Sequence, residues 1–322
     1  MKNRRKESVL ILVALFFLSA CSQLTTRHDV TTAPGGKGPT RINKEIDDFS
    51  DKINEVEVPV PTVPPEATEE KRVAVILGPG GYKAFSHAGV LKELIKKNIP
   101  IQEIVGIEWG ALVAALYAQR GQINEAEWKL YKLEKLDLSN AGFFGRKNEP
   151  QSINVLDSFL RDNLDAKIAN KTAVPFFCPS LSLARGTIQW PNDYPLYQAV
   201  KMCLPYPPLF QPDNQMVAGL FSLEEIIYEL KKNNYNVIIL VNVLGDGGLI
   251  ENQKTKNDYA ASILWQEVRR SIWRAKSMVT DVIEVNTRGV SMLDFDSRKL
   301  LVTAGEAAGE KAASELVSKY GF

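Results

Sequence analysis

Apolar and polar residues divide the chain into three stretches of different character. Val9 to Leu18 form an unbroken apolar run preceded by Lys2, Arg4, Arg5 and Lys6. From Ser22 to Lys71 large apolar residues are sparse, and Gly35-Gly36-Lys37-Gly38-Pro39 and Pro59, Pro61, Pro64 and Pro65 interrupt the chain. From Arg72 onward short apolar runs alternate with segments of helical period. Val73-Ala74-Val75-Ile76-Leu77 has the continuous apolar character of a strand buried on both faces. Val90, Leu91, Leu94 and Ile95 then recur at helical spacing. A second strand is expected around Ile104-Val105 and a second helix from Ala111 to Gln119. Further on, the pattern predicts strands over 174–183, 187–190, 236–243 and 280–285, and helices over 223–230, 260–275 and 309–318. Strand, helix, strand, helix in this order predicts a three-layer α/β/α fold with a mainly parallel central sheet.

The basic start and the ten-residue apolar run have the form of a signal peptide, too short to span a bilayer comfortably. It ends in Leu18-Ser19-Ala20-Cys21, which resembles the bacterial lipobox, in which the cysteine thiol is acylated before cleavage. The expected organisation is therefore a signal peptide at 1–20, a lipidated linker at 21–71 and a folded domain at 72–322. The linker is too polar and proline-broken to build a core, and as a coil would place the domain about 40 Å from the bilayer. Ser22 after the cysteine resembles lipoproteins sent to an outer membrane. The chain is thus expected at the cell envelope, held by a lipid on Cys21.

Composition narrows the chemistry. At 322 residues, 45% of them apolar, the chain can bury a large core, and a net charge of +1 offers no basic field for nucleic acid. Cys21, Cys178 and Cys203 show no C-x-x-C spacing, so neither a metal site nor a disulfide framework is expected, and Cys203 is expected to be buried and inert. No cofactor motif is complete: Gly78-Pro79-Gly80-Gly81 follows a strand, but the third glycine and distal acid of a dinucleotide fold are missing.

A glycine-rich loop between strand and helix can instead present N–H groups to an oxyanion. Downstream, Gly106-Ile107-Glu108-Trp109-Gly110 also sits between a strand and a helix, the setting of a hydrolase nucleophile elbow. These features come with His87-Ala88-Gly89-Val90-Leu91, Ala199-Val200-Lys201-Met202-Cys203 and Pro208-Leu209-Phe210-Gln211-Pro212. Together, and in this order, they resemble the patatin-like phospholipases from about Arg72 to the C-terminus. The resemblance implies a lipid acyl hydrolase fold with a Ser/Asp dyad, an oxyanion loop at Gly78, Gly80, Gly81 and Lys83, and elbow glycines at Gly106 and Gly110.

Both dyad residues are replaced. Glu108 occupies the nucleophile position, and Val217-Ala218-Gly219-Leu220 puts Ala218 where the family has its aspartate. Lys83 stands for the family's loop arginine. A carboxylate attacking an ester would form a mixed anhydride, higher in energy than the ester, so Glu108 is a poor substitute nucleophile. Asp246-Gly247-Gly248 follows a strand rather than preceding a helix and is expected to be a surface turn; Ser86 is expected to cap a helix. Trp265 and Trp273 are expected to be core or interface anchors. Two placements are open for Glu108: in the oxyanion site, solvated by the Gly80 and Gly81 N–H groups with Lys83 as partial partner, or facing water in an open cleft. The resulting expectation is an inactive, membrane-anchored binding or interaction module for a lipid, an acyl group or an envelope protein. The alternative is a lipid acyl hydrolase with a non-standard nucleophile.

Overall fold

The computed structural model describes residues 70–133, 150–207, 209–245 and 256–322. The expected signal peptide, Cys21 and the linker up to residue 69 lie outside the described residues, as does Asp246-Gly247-Gly248.

Five parallel strands form the central sheet in the order β3-β2-β1-β7-β8. They are β1 (Val73–Leu77), β2 (Ile101–Gly106), β3 (Phe176–Phe177), β7 (Val237–Asn242) and β8 (Asp281–Glu284). Successive side chains on a strand point to opposite faces, and both faces are buried. Val73, Val75 and Leu77 join one core with α1 (Ser86–Lys96), α2 (Trp109–Ala118), α3 (Ile123–Lys132) and α8 (Arg298–Tyr320). Ala74 and Ile76 join the other, with α6 (Leu223–Lys232) and α7 (Lys256–Ala275). The three-layer α/β/α architecture expected from the pattern is the one observed. Among the described residues no helix is long and apolar enough to cross a membrane.

Four details differ from the pattern-based expectation. The strand predicted over 174–183 is two strands: Pro179, which lacks an N–H to continue the ladder, separates β3 from β4 (Ser180–Ser182). β4 belongs to a second, antiparallel sheet ordered β5-β4-β6, with β5 (Thr187–Gln189) and β6 (Met216–Ala218). The last helix begins at Arg298 rather than near 309. Its small residues lie against α1 so closely that a Cβ on Gly305 would stand 1.9 Å from the Ser86 carbonyl oxygen, which hides its amphipathic signature. Finally, Cys178 and Cys203 form a disulfide with Cα atoms 6.0 Å apart. Spacing could not reveal that pair, because the chain travels through β4, β5 and α5 (Leu196–Cys203) before returning.

Candidate functional site

The site begins where β1 and β2 end. The Ile107 N–H donates to the Leu77 carbonyl at 3.0 Å, so the chain after β2 turns beside the loop after β1. The turn is tight: a Cβ on Gly106 would stand 2.3 Å from the Ala111 Cα, and one on Gly110 would stand 2.5 Å from the Leu77 oxygen. At its apex Glu108 has φ 56° and ψ −125°. A non-glycine residue here is strained, and the two flanking glycines and the helix that follows hold it in place. That is the conformation of a nucleophile elbow, retained with a different side chain at its tip.

The glycine loop supplies the other half. Glu108 Oε2 accepts from the Gly80 N–H at 3.1 Å and the Gly81 N–H at 2.9 Å. The carboxyl is completely buried, and Oε1 has no hydrogen-bond partner. Burial pushes Glu108 up from 4.5 to about 7, against the opposing pull of the Trp109, Gly80 and Gly81 N–H groups. The expected placement of Glu108 against Gly80 and Gly81 is therefore present. Lys83 is itself buried, and its carbonyl accepts from the Ser86 hydroxyl at 2.7 Å. Ser86 is thus the first residue of α1 and does not cap it as expected: the N-cap position is Phe85, and the Ser86 hydroxyl donates back into the 3-10 turn over Gly81–Phe85.

His87 braces the loop from behind. Its Nε2 lies 2.8 Å from the Gly78 carbonyl, which can only accept, so Nε2 carries the proton. Burial holds the ring down at about 4, and Nδ1 has no partner. Two tyrosines that the motif comparison missed complete the surroundings. Tyr82 is raised by burial and then by the Glu108 charge; Tyr206 is pushed up to about 12 by the same two causes in that order. Only tertiary proximity marks Tyr206, which is distant in sequence. Trp109 packs edge-on to Tyr82 at 4.9 Å and stacks on Phe210 at 6.2 Å.

Ala218 closes β6 and is buried. Its N–H donates to Pro205 at 2.8 Å and the Gly219 N–H donates to Pro179 at 3.0 Å. Tyr206, next to Pro205, is the described link between this turn and Glu108. The disulfide brackets the same turn, since Cys178 precedes Pro179 and Cys203 lies two residues before Pro205. Trp265 is a core anchor whose Nε1 donates to the Pro207 carbonyl at 3.1 Å, whereas Trp273 is 72% exposed and anchors nothing in this core. Among the described residues no group of His, Cys, Asp or Glu is arranged to hold a metal ion. A cavity of about 920 Å³ lies elsewhere, between β5 and α6, and Glu108 is not part of its lining.

With the geometry in view, comparison with known proteins places the chain. An uncharacterized NTE family protein of Mycobacterium bovis is 26% identical over 149 residues, covering 44% of this chain and 39% of that protein. Lysophospholipase NTE1 of Coccidioides immitis is 22% identical over 208 residues, covering 62% of this chain and 13% of that protein. The chain therefore spans well under half the length of these curated relatives. Among solved structures, VipD from Legionella pneumophila aligns with a TM-score of 0.40 at 13% identity, covering 76% of this chain and 67% of that one. The ExoU–SpcU complex of Pseudomonas aeruginosa aligns at 0.39 and 12% identity, covering 78% and 52%. A family model for patatin-like phospholipases matches residues 75–256, which hold both the glycine loop and the elbow. The chain belongs to the patatin-like phospholipase family.

Proposed function

We propose that this protein is a lipid-anchored member of its family at the bacterial cell envelope that has given up ester hydrolysis and uses the fold to bind a lipid, an acyl group or an envelope protein. The observation that carries this reading is the Glu108 carboxylate accepting from Gly80 and Gly81. Two convergent N–H groups are what an acyl-transfer enzyme aims at the oxygen that becomes charged in the transition state. Here an internal carboxyl oxygen takes them. A substrate carbonyl would have to displace it, and the side chain that fills the cradle sits where the nucleophile is needed. Ala218 offers no base at the second position. Export is supported by the Cys178–Cys203 disulfide, since such bonds persist in oxidising compartments and are rare in the cytosol.

One observation favours the alternative of a lipid acyl hydrolase: a carboxyl held at about 7 is poised as a general base that could activate water. Hydrolysis of para-nitrophenyl butyrate and of phosphatidylcholine vesicles separates the two readings. The expected result is no turnover above that of Glu108→Gln and no labelling by a fluorophosphonate. Turnover abolished by Glu108→Gln would establish the hydrolase instead. The combined Glu108→Ser and Ala218→Asp substitutions should create fluorophosphonate labelling, and Glu108→Ser alone should not. Replacing Cys21 with Ala should release the protein from membranes; unchanged membrane association and mass would overturn the anchor.

A further inference from the structure

The cavity between β5 and α6 opens on the side of the sheet opposite α1 and α2, toward the beginning of β2, where Glu103 contributes to its wall. Its apolar surface combines Ile188 with three aromatic rings. Phe177 and Trp190 meet edge to face, with ring centroids 5.6 Å apart and planes at 74°, and Tyr228 stands on α6 with 64% of its surface exposed. Its charged surface is of one sign: Glu103, Glu224, Glu225 and Glu229 line it, and no lysine or arginine does.

Helical spacing concentrates that charge. Glu225 and Glu229 are four residues apart, and Tyr228 follows Glu225 by three, so the three share one face of α6. Three cations act on these carboxylates: Arg72, which donates to the Asn233 carbonyl on the wall at 2.6 Å and acts on Glu103, and two more on the helix side. Lys232 reaches Glu229 at 3.3 Å and Arg274 reaches Glu224 at 3.9 Å, both in solvent-exposed pairs of small worth. Glu225 has no ion pair among the described residues. Burial raises Glu103 above its ordinary value, against the opposing pull of the Tyr235 hydrogen bond and the Arg72 charge, so the proposal does not rest on Glu103. Asn192, also on the wall, holds a buried Oδ1 that accepts from nothing. An orphaned acceptor, four carboxylates, the half-buried rings of Phe177 and Trp190 and the exposed ring of Tyr228 together favour a donor that is cationic.

We propose that this cavity is a binding site for an organic ammonium cation, seated against Phe177, Trp190 and Tyr228 and neutralised by Glu225 and Glu229. Aromatic faces attract such cations through their quadrupoles, most strongly where water is partly excluded, and Phe177, Trp190 and Tyr228 all contribute to this wall. At about 920 Å³ the cavity lies in the size range of small-molecule sites, roughly 300–1,000 Å³. An ammonium group arrives either as a free amine or as the side chain of a polypeptide, and the same walls would take both. The proposal does not depend on the fate of Glu108, which is no part of the lining.

The test follows the indole N–H signal of Trp190 in the ¹H–¹⁵N spectrum of the purified protein, assigned by its loss in Trp190→Phe. Tetramethylammonium chloride is titrated against sodium chloride of equal strength, and against tert-butanol as an uncharged compound of similar shape. The expected result is a saturable shift with tetramethylammonium only, weakened about tenfold or more in Glu225→Gln combined with Glu229→Gln. Circular dichroism of that variant should match the parent, because both carboxylates are on the solvent side of α6. A second arm uses the peptide acetyl-Gly-Lys-Gly-amide: tighter binding than tetramethylammonium assigns the site to a polypeptide amine, and weaker binding assigns it to a free amine. An equal response to tert-butanol, an unchanged affinity in the Gln variant, or no saturable shift with either cation would overturn the proposal.

Discussion

Two turns, one carrying Glu108 and one carrying Ala218, are held in different ways. The elbow around Glu108 is fixed by close packing: two glycines admit no Cβ, strand-end backbone groups pair across the turn, and the buried carboxyl is tied to the glycine loop. The turn at Ala218 is fixed by its neighbours, through Pro179 and Pro205, with a covalent bond closing the segments that carry them. Neither turn depends for its shape on a hydrogen bond that a catalytic side chain at its tip would have to supply. Shape at these turns is therefore enforced by the backbone and its packing.

The sharpest way to break the contrast is Gly110→Ala. With backbone oxygens of Leu77 and Gly78 at 2.5 Å and 2.8 Å from the added carbon, the loss should exceed about 4 kcal/mol, read as failure to fold or a collapsed denaturant midpoint. A well-folded variant would mean that the elbow is less constrained than its geometry indicates. At the other turn, Cys178→Ser with Cys203→Ser should cost about 3 kcal/mol, given the 25-residue separation. Urea titration with and without reductant measures it, and a midpoint indifferent to reduction would show that the flanking prolines suffice.

Next comes the buried carboxyl. Glu108→Ala should cost about 1–3 kcal/mol by orphaning the Gly80 and Gly81 donors. Its pH signature is more specific. Glu108, raised from 4.5 to about 7, retains a proton in the fold that the unfolded chain has released, so its stabilising share is full below 4.5 and lost as pH rises to about 7. His87, lowered from 6.5 to about 4, acts oppositely: its share is full above 6.5 and lost as pH falls to about 4. Between 4.5 and 6.5 the two slopes oppose, and the parent midpoint should change little on their account. Glu108→Gln leaves His87 alone, so the midpoint should climb with pH across that window. A variant profile parallel to the parent's would show that Glu108 does not titrate as its burial requires. The smallest effect expected is Ser86→Ala, about 1 kcal/mol for the lost bond to the Lys83 carbonyl, with no change in any esterase assay.

The elbow was legible in the sequence because glycines at fixed offsets between a strand and a helix have few other uses, and Glu108 could be identified as the residue at its tip. The glycine cradle was legible as well, since Gly80 and Gly81 follow a continuous apolar strand. Tyr206 and the Cys178–Cys203 bond were not, because each joins segments that are far apart along the chain and carry no local signature of their meeting.

By itself the sequence determined the layers. Continuous apolar runs can be buried only on both faces, and helical stripes only against them, so the three-layer order follows from periodicity and connection. Tertiary structure alone decided that the Glu108 carboxyl enters the oxyanion cradle and does not reach water, that a separate antiparallel sheet carries Ala218, and that carboxylates of α6 face the aromatic corner of Phe177 and Trp190. The physical reason is common to all three: each depends on where side chains from distant segments converge, and burial, pairing and charge are properties of that convergence that no local pattern contains.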